Sequence, residues 1–155
     1  MEVILAGDLT EKVAEISVDG LDHISIAVPD LTQALDLYRE RFGCTVSDPL
    51  EVPEQGVRLA YVYLSNAKLE LMEPIGHKSP VSEFLKKHPA GGLHHFCLTT
   101  QDVTGTAKSV VAAGMRILGG ISPKAGHHGR KLFFIHPKDT FGTLIEFEES
   151  VAGNN

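Results

Sequence analysis

The sequence predicts an α+β domain built from two βαβββ modules that share one mixed sheet and a site between them. Three observations carry that expectation. The stretch Leu21-Asp22-His23-Ile24-Ser25-Ile26-Ala27-Val28-Pro29-Asp30 recurs in altered form as Leu93-His94-His95-Phe96-Cys97-Leu98-Thr99-Thr100-Gln101-Asp102, with a histidine at the same point of each copy. Each copy runs into a helical pattern that a glycine closes, Gly43 in the first and Gly114 in the second. Each module then ends on a strand whose central glutamate, Glu70 or Glu146, is flanked by apolar residues. A repeat of this length is one supersecondary unit used twice, with the site placed between the copies.

Along the chain, residues 1–20 have no counterpart in the second half and read as an N-terminal extension, in which Val3-Ile4-Leu5 suits a strand and Leu9 to Ile16 a weak helix. The domain proper spans 21–149. Its first module, about 21–76, opens with the strand His23 to Val28. Asp30 caps the helix that follows, with Gln33 at capping-box spacing. Leu31, Ala34, Leu35, Tyr38 and Phe42 share one helical face. Three strands come next: Cys44 to Ser47, Val57 to Leu64 and Lys68 to Met72, the last two joined by the turn Ser65-Asn66-Ala67. A linker helix at 79–88 begins with Ser79 as cap and Pro80 in its first position, and Pro89-Ala90-Gly91-Gly92 turns into the second module, about 93–149. That module repeats the order: a strand at His95 to Thr99, a helix capped by Asp102, and strands at Met115 to Leu118, Lys131 to His136 and Thr143 to Phe147. The loop from Gly119 to Arg130 is rich in glycine and holds Lys124, His127, His128 and Arg130, which makes it a basic, exposed segment.

With 14 Lys and Arg against 20 Asp and Glu, a net charge of -6, the chain lacks the basic face that nucleic acid requires. No run reaches the roughly 20 apolar residues of a membrane span, and the first residues carry neither a secretory nor a mitochondrial signal pattern, so a cytoplasmic setting is expected. Cys44 and Cys97 are too few for a disulfide framework, and Cys97 reads as a buried apolar residue.

The two copies compare chemically as two His and two Glu. In a strand of period two, a carboxylate between hydrophobic residues points to the face opposite them. If those apolar faces pack on helices, Glu70 and Glu146 project into whatever the sheet encloses. A buried carboxylate costs several kcal/mol unless it is paired or bound to a metal. His23, Glu70, His95 and Glu146 are therefore the candidate ligands of a divalent cation, and an N2O2 set suits cobalt, zinc, manganese or nickel. Among the other histidines, His94 adjoins His95 and is expected on the opposite strand face, while His77, His88, His127, His128 and His136 fall in expected turns or loops.

Beyond this point the residues resemble a known family. Asp22-His23-Ile24-Ser25-Ile26-Ala27-Val28-Pro29-Asp30-Leu31, Pro53-Glu54-Gln55-Gly56-Val57, Ser79-Pro80-Val81 through Lys86-Lys87, Gly91-Gly92-Leu93-His94-His95, and His136-Pro137-Lys138-Asp139 with Gly142-Thr143-Leu144-Ile145-Glu146 are similar to the methylmalonyl-CoA epimerases of the vicinal oxygen chelate superfamily. That resemblance implies a cup-shaped sheet around one divalent metal ion per chain, with cobalt placed first, and a homodimer. It also implies interconversion of (R)- and (S)-methylmalonyl-CoA by removal and return of the C2 proton through a metal-stabilised enolate. His23, His95 and Glu146 carry over as ligands, with Glu70 at a fourth place that is Gln in some relatives. Some epimerases carry a second catalytic carboxylate where this chain has Leu59, so Glu70 and Glu146 become the catalytic pair, one for each face of C2. Glu54 is the second candidate. Lys124, Arg130 and Lys138 are the bases expected near the phosphates of the acyl-CoA. A glyoxalase I-type lactoylglutathione lyase, a non-haem iron dioxygenase and a non-enzymatic binding protein of the same fold are the rival readings.

Overall fold

A computed structural model describes residues 15–120 and 123–151; the strand expected at Val3 to Leu5 and most of the helix expected over Leu9 to Ile16 lie outside that range. The first module comprises β1 (Gly20–Ala27), α1 (Leu31–Asp36), β2 (Thr45–Val46), β3 (Leu50–Val52), β4 (Val57–Tyr63) and β5 (Lys68–Pro74). After α2 (Pro80–Lys87), the second comprises β6 (Gly92–Thr100), α3 (Val103–Ala112), β7 (Ile117–Leu118), β8 (Lys124–Ala125), β9 (Lys131–Ile135) and β10 (Ile145–Glu149). The strands join one mixed, open sheet in the order β2-β4-β5-β1-β6-β10-β9-β7, with β3 beside β4 and β8 beside β9. The order is a palindrome of the modules. β1 pairs β5 in parallel as β6 pairs β10, and the antiparallel β1–β6 pair joins the halves.

Local chemistry sets the helix starts. Asp30 accepts from the Gln33 backbone N–H at 2.9 Å and from its side-chain amide at 2.9 Å. Asp102 accepts from Gly105 N–H at 2.8 Å, and Ser79 from Ser82 N–H at 3.1 Å, each satisfying a donor that the first helical turn leaves open. Gly43 and Gly114 end their helices at φ 67 and 80, a left-handed conformation that glycine takes without strain.

Two features depart from the sequence pattern. From Leu37 to Arg41 the first helix widens into a π turn. That turn rotates Phe42 off the apolar face, leaving it 62% exposed against the ring edge of Tyr38. Each module also holds one more short strand than the periodicity announces, β3 in the first and β8 in the second, the latter inside the glycine-rich basic loop.

The pleat then sorts the sheet into two faces. On the helix side, Leu31 and Leu35 pack on Ala60, Val62 and Leu71, while Val103, Ala107 and Val110 pack on Phe133, Ile135 and Phe147. On the other side stand His23, Ser25 and Ala27 of β1, Glu70 and Met72 of β5, His95 and Cys97 of β6, and Glu146 and Glu148 of β10, all buried. There Val81 of α2, with Phe84 and Leu85, closes a third apolar cluster over Ala27, Val52, Val57, Leu59 and Met72. Among the described residues no helix is long and apolar enough to cross a membrane.

Candidate metal centre

Four side chains named from the repeat meet at the seam between the modules. His23 Nε2 lies 3.5 Å from Glu70 Oε2 and 3.6 Å from Glu146 Oε2, and His95 Nε2 lies 2.8 Å from Glu146 Oε2. Candidate donor atoms of His23, Glu70 and His95 all fall within 4.8 Å of one another. His23 Nε2 is buried without a hydrogen-bond partner. A buried polar atom left open in this way, aimed between two carboxylates, is what a divalent cation would satisfy. Two imidazoles and two carboxylates also suit the borderline first-row ions, so the residues present fit such a group.

The electrostatics follow from this crowding. Burial opposes the charged form of His23, yet Asp22, Glu146 and Glu70 outweigh it and raise its pKa to about 10. Burial likewise acts against ionised Glu146, but the two imidazoles hold its pKa down to about 2. Glu70 has different partners: Ser25 Oγ donates to its Oε2 at 2.6 Å and the Tyr61 hydroxyl donates to its Oε1 at 3.2 Å. Ser25 Oγ also sits 3.0 Å from His95 Nε2, linking the two modules. Sequence reasoning missed Ser25 and Tyr61. Ser25 is two residues past His23 on one strand face, so alternation could have found it; Tyr61 needs the β4–β5 register, which pairs it with Glu70.

His94 does not take the opposite face expected of it. The β1–β6 ladder shifts register at this point, His94 becomes the extra residue of a bulge, and its Nδ1 lies 2.8 Å from His95 Nδ1. Burial lowers its pKa to about 4. His127 and His128 also leave solvent in part: His127 Nε2 lies 3.1 Å from the Tyr61 hydroxyl, and His128 Nε2 lies 2.8 Å from Glu148 Oε1.

Glu148 is a third residue absent from the sequence expectation, although it follows Glu146 at strand period. It is fully buried, and burial pushes its pKa up to about 7. His23, Cys97 and Glu148 also come close enough to suggest ligation. Arg130 Nε, however, lies 2.9 Å from Glu148 Oε1, and His23 Nδ1 is taken by Asp22 Oδ2 at 2.8 Å. A fixed cation against the carboxylate disfavours a second positive ion there.

A cavity of about 810 Å³ opens onto Glu70, His95 and Glu146. Val52, Met72, Val81, Leu132 and Phe134 give it apolar walls; Glu70, His95 and Glu146 form its polar end, and Glu54 and Lys124 also line it. The expected phosphate-binding residues are thus dispersed. Lys124 borders the cavity, whereas Arg130 is engaged with Glu148 and lies 3.6 Å from Asp22 Oδ1, and Lys138 sits in a short 3-10 turn, Pro137–Asp139, outside the lining. Leu59 is 1% exposed in the apolar cluster beneath α2 and is not part of the lining.

Comparison with known proteins bears on this geometry. Residues 22–134 match the family described as the Glyoxalase/Bleomycin resistance protein/Dioxygenase superfamily. The mitochondrial methylmalonyl-CoA epimerase of Dictyostelium discoideum is 43% identical over 137 residues, which cover 88% of this chain and 82% of that protein. The ethylmalonyl-CoA/methylmalonyl-CoA epimerase of Cereibacter sphaeroides is 43% identical over 129 residues, covering 83% and 96%. Among solved structures, a variant of Streptomyces coelicolor methylmalonyl-CoA epimerase in complex with 2-nitronate-propionyl-CoA superposes with a TM-score of 0.79 at 35% identity, covering 90% of this chain and 99% of that one.

Proposed function

The chain belongs to the Glyoxalase/Bleomycin resistance protein/Dioxygenase superfamily, and from that premise we propose that it interconverts (R)- and (S)-methylmalonyl-CoA by moving the proton at C2. The observation that carries the reading is the convergence of His23, Glu70, His95 and Glu146 from both repeats, the last three of them at the polar end of a cavity with apolar walls. The epimerase relatives at 43% identity support the substrate class.

His23, Glu70, His95 and Glu146 would hold one divalent ion, cobalt first and zinc, manganese or nickel as alternatives. When bound, such an ion supplies Lewis-acid stabilisation of the negative charge that develops as the thioester enolises. The chain's own residues do the rest. In the forward direction one carboxylate removes the C2 proton, leaving a planar enolate, and the other carboxylic acid returns a proton to the opposite face. Glu70 and Glu146 come from symmetry-related strands and so suit the two faces. Glu70 accepts from the Ser25 and Tyr61 hydroxyls, with His23 Nε2 3.5 Å from its Oε2. The Val52, Met72 and Val81 wall excludes water and receives the alkyl substituent. A homodimer and a cytosolic setting complete the proposal.

Two outcomes test it. Incubation with methylmalonyl-CoA in deuterated water introduces label at C2, and a chelator that strips the metal suppresses the wash-in; label that enters equally with and without chelator overturns the metal-dependent reading. For the CoA portion, Lys124→Ala raises KM by about 2–5-fold, the effect of one exposed charge pair, with kcat nearly unchanged. Steady-state kinetics at two salt concentrations check this, because an exposed charge contact weakens as salt rises.

A further inference from the structure

Each histidine of the centre is preceded by a residue displaced from the regular ladder. Leu21 pairs with Leu98 and His23 with Cys97, so Asp22 is an extra residue on β1; Ser25 pairs with His95 and Ile26 with Leu93, so His94 is an extra residue on β6. The two one-residue bulges occupy equivalent places in the repeat. Bulges re-aim side chains beside functional sites, and here both side chains turn onto the next ring. Asp22 Oδ2 lies 2.8 Å from His23 Nδ1, and His94 Nδ1 lies 2.8 Å from His95 Nδ1. The outer nitrogen of each imidazole is thereby engaged, while the inner Nε2 of His23 faces both glutamates and that of His95 faces Glu146.

We infer that Asp22 and His94 are symmetry-related positioning residues: each, through its bulge, receives the Nδ1–H of the following histidine and commits that ring's Nε2 to the cation. The inference rests on the metal-centre reading above. A ligating imidazole whose other nitrogen is held in this way keeps one tautomer and one orientation. The two copies achieve it with different chemistry. Asp22 is a carboxylate anchored by Lys68 Nζ at 3.1 Å. His94 is a ring that accepts through Nδ1 and packs edge-on against Phe84 of α2, with centroids 5.1 Å apart. The linker helix between the modules therefore bears on the orientation of His95.

The test uses the zinc-loaded protein, because zinc is diamagnetic. The expected wild-type result is a slowly exchanging Nδ1–H proton on both His23 and His95 in histidine-labelled NMR spectra. His94→Leu removes the acceptor; zinc affinity, measured by competition with a chromophoric chelator, falls about 10–100-fold, and the His95 proton loses its protection. Asp22→Ala has an effect of the same order on His23. His94→Asn, whose amide oxygen stands about where Nδ1 stood, restores the affinity to within about threefold. Wild-type affinity in both His94→Leu and Asp22→Ala, while His95→Ala loses zinc, overturns the inference alone. A His95→Ala protein that binds zinc like wild type overturns the metal centre as well. Should the leucine variant not fold, the wild-type spectrum decides: a His95 without a protected Nδ1–H rejects the assignment.

Discussion

Glu70→Gln lowers kcat for epimerisation by about 10²–10⁴-fold, the span general acid–base catalysis contributes, while zinc or cobalt content falls little. The amide has the volume of the acid; its oxygen can accept from one of the two hydroxyls that now bond the carboxylate, Ser25 Oγ to Oε2 at 2.6 Å and Tyr61 to Oε1 at 3.2 Å, and its NH2 can donate to the other. What it cannot do is carry a proton to or from C2. Leu59 leaves no ionisable group at that point of the long strand, and Glu146 cannot serve both faces of a planar enolate. The imidazoles of His23 and His95 moreover hold the Glu146 carboxylate in its ionised form. Glu54 also lines the cavity, so Glu54→Gln is the control. Steady-state rates on each variant, with metal measured on the same samples, decide the matter. An active Glu70→Gln enzyme would remove Glu70 from the chemistry, and an inactive one that has lost its metal would make it a ligand only.

The parts of the site legible in the sequence are those that obey a simple period. His23 and His95 open equivalent strands, and Glu70 and Glu146 alternate with apolar neighbours that pack under α1 and α3, so the shared burial of all four follows from the pleat. Where the period breaks, the reading breaks with it. One extra residue in β6 brings His94 against His95, and one π turn carries Phe42 into solvent. Leu50–Val52 and Lys124–Ala125 are strands because β4 and β9 offer them a ladder, a tertiary cause with no local signal. Charge raises a different difficulty. Arg130 in a glycine-rich basic loop is equally suited to a phosphate or to a buried carboxylate, and only the fold brings Glu148 to it.

That pairing sets the largest expected effect on stability. Arg130→Met costs about 3–5 kcal/mol at pH 8 and above, because removing one partner leaves a buried charge uncompensated. Glu148 is fully buried with Arg130 Nε 2.9 Å from its Oε1. The sign of the pH dependence follows from its pKa, raised by burial from the ordinary 4.5 to about 7. A carboxyl with a raised folded pKa binds more protons folded than unfolded, so its contribution to stability is fullest at low pH and falls as pH rises towards the folded pKa. Without Arg130 the folded pKa moves higher still, and the loss continues above pH 7 where the wild-type curve has levelled. The deficit therefore grows by up to about 1.4 kcal/mol for each pH unit above 7 and is larger at pH 8 than at pH 6, which denaturant unfolding at the two values measures. The repeat supplies the rescue. Glu148 faces Leu132 across β9 as Met72 faces Leu59 across β4, so Met is the residue the first module places there. Glu148→Met in the Arg130→Met background recovers most of the loss, since an apolar pair of similar volume can replace a buried ion pair at little cost. If Arg130 instead serves the phosphates of the acyl-CoA, Arg130→Met leaves stability at the wild-type level at both pH values and raises KM, and the double variant gains nothing.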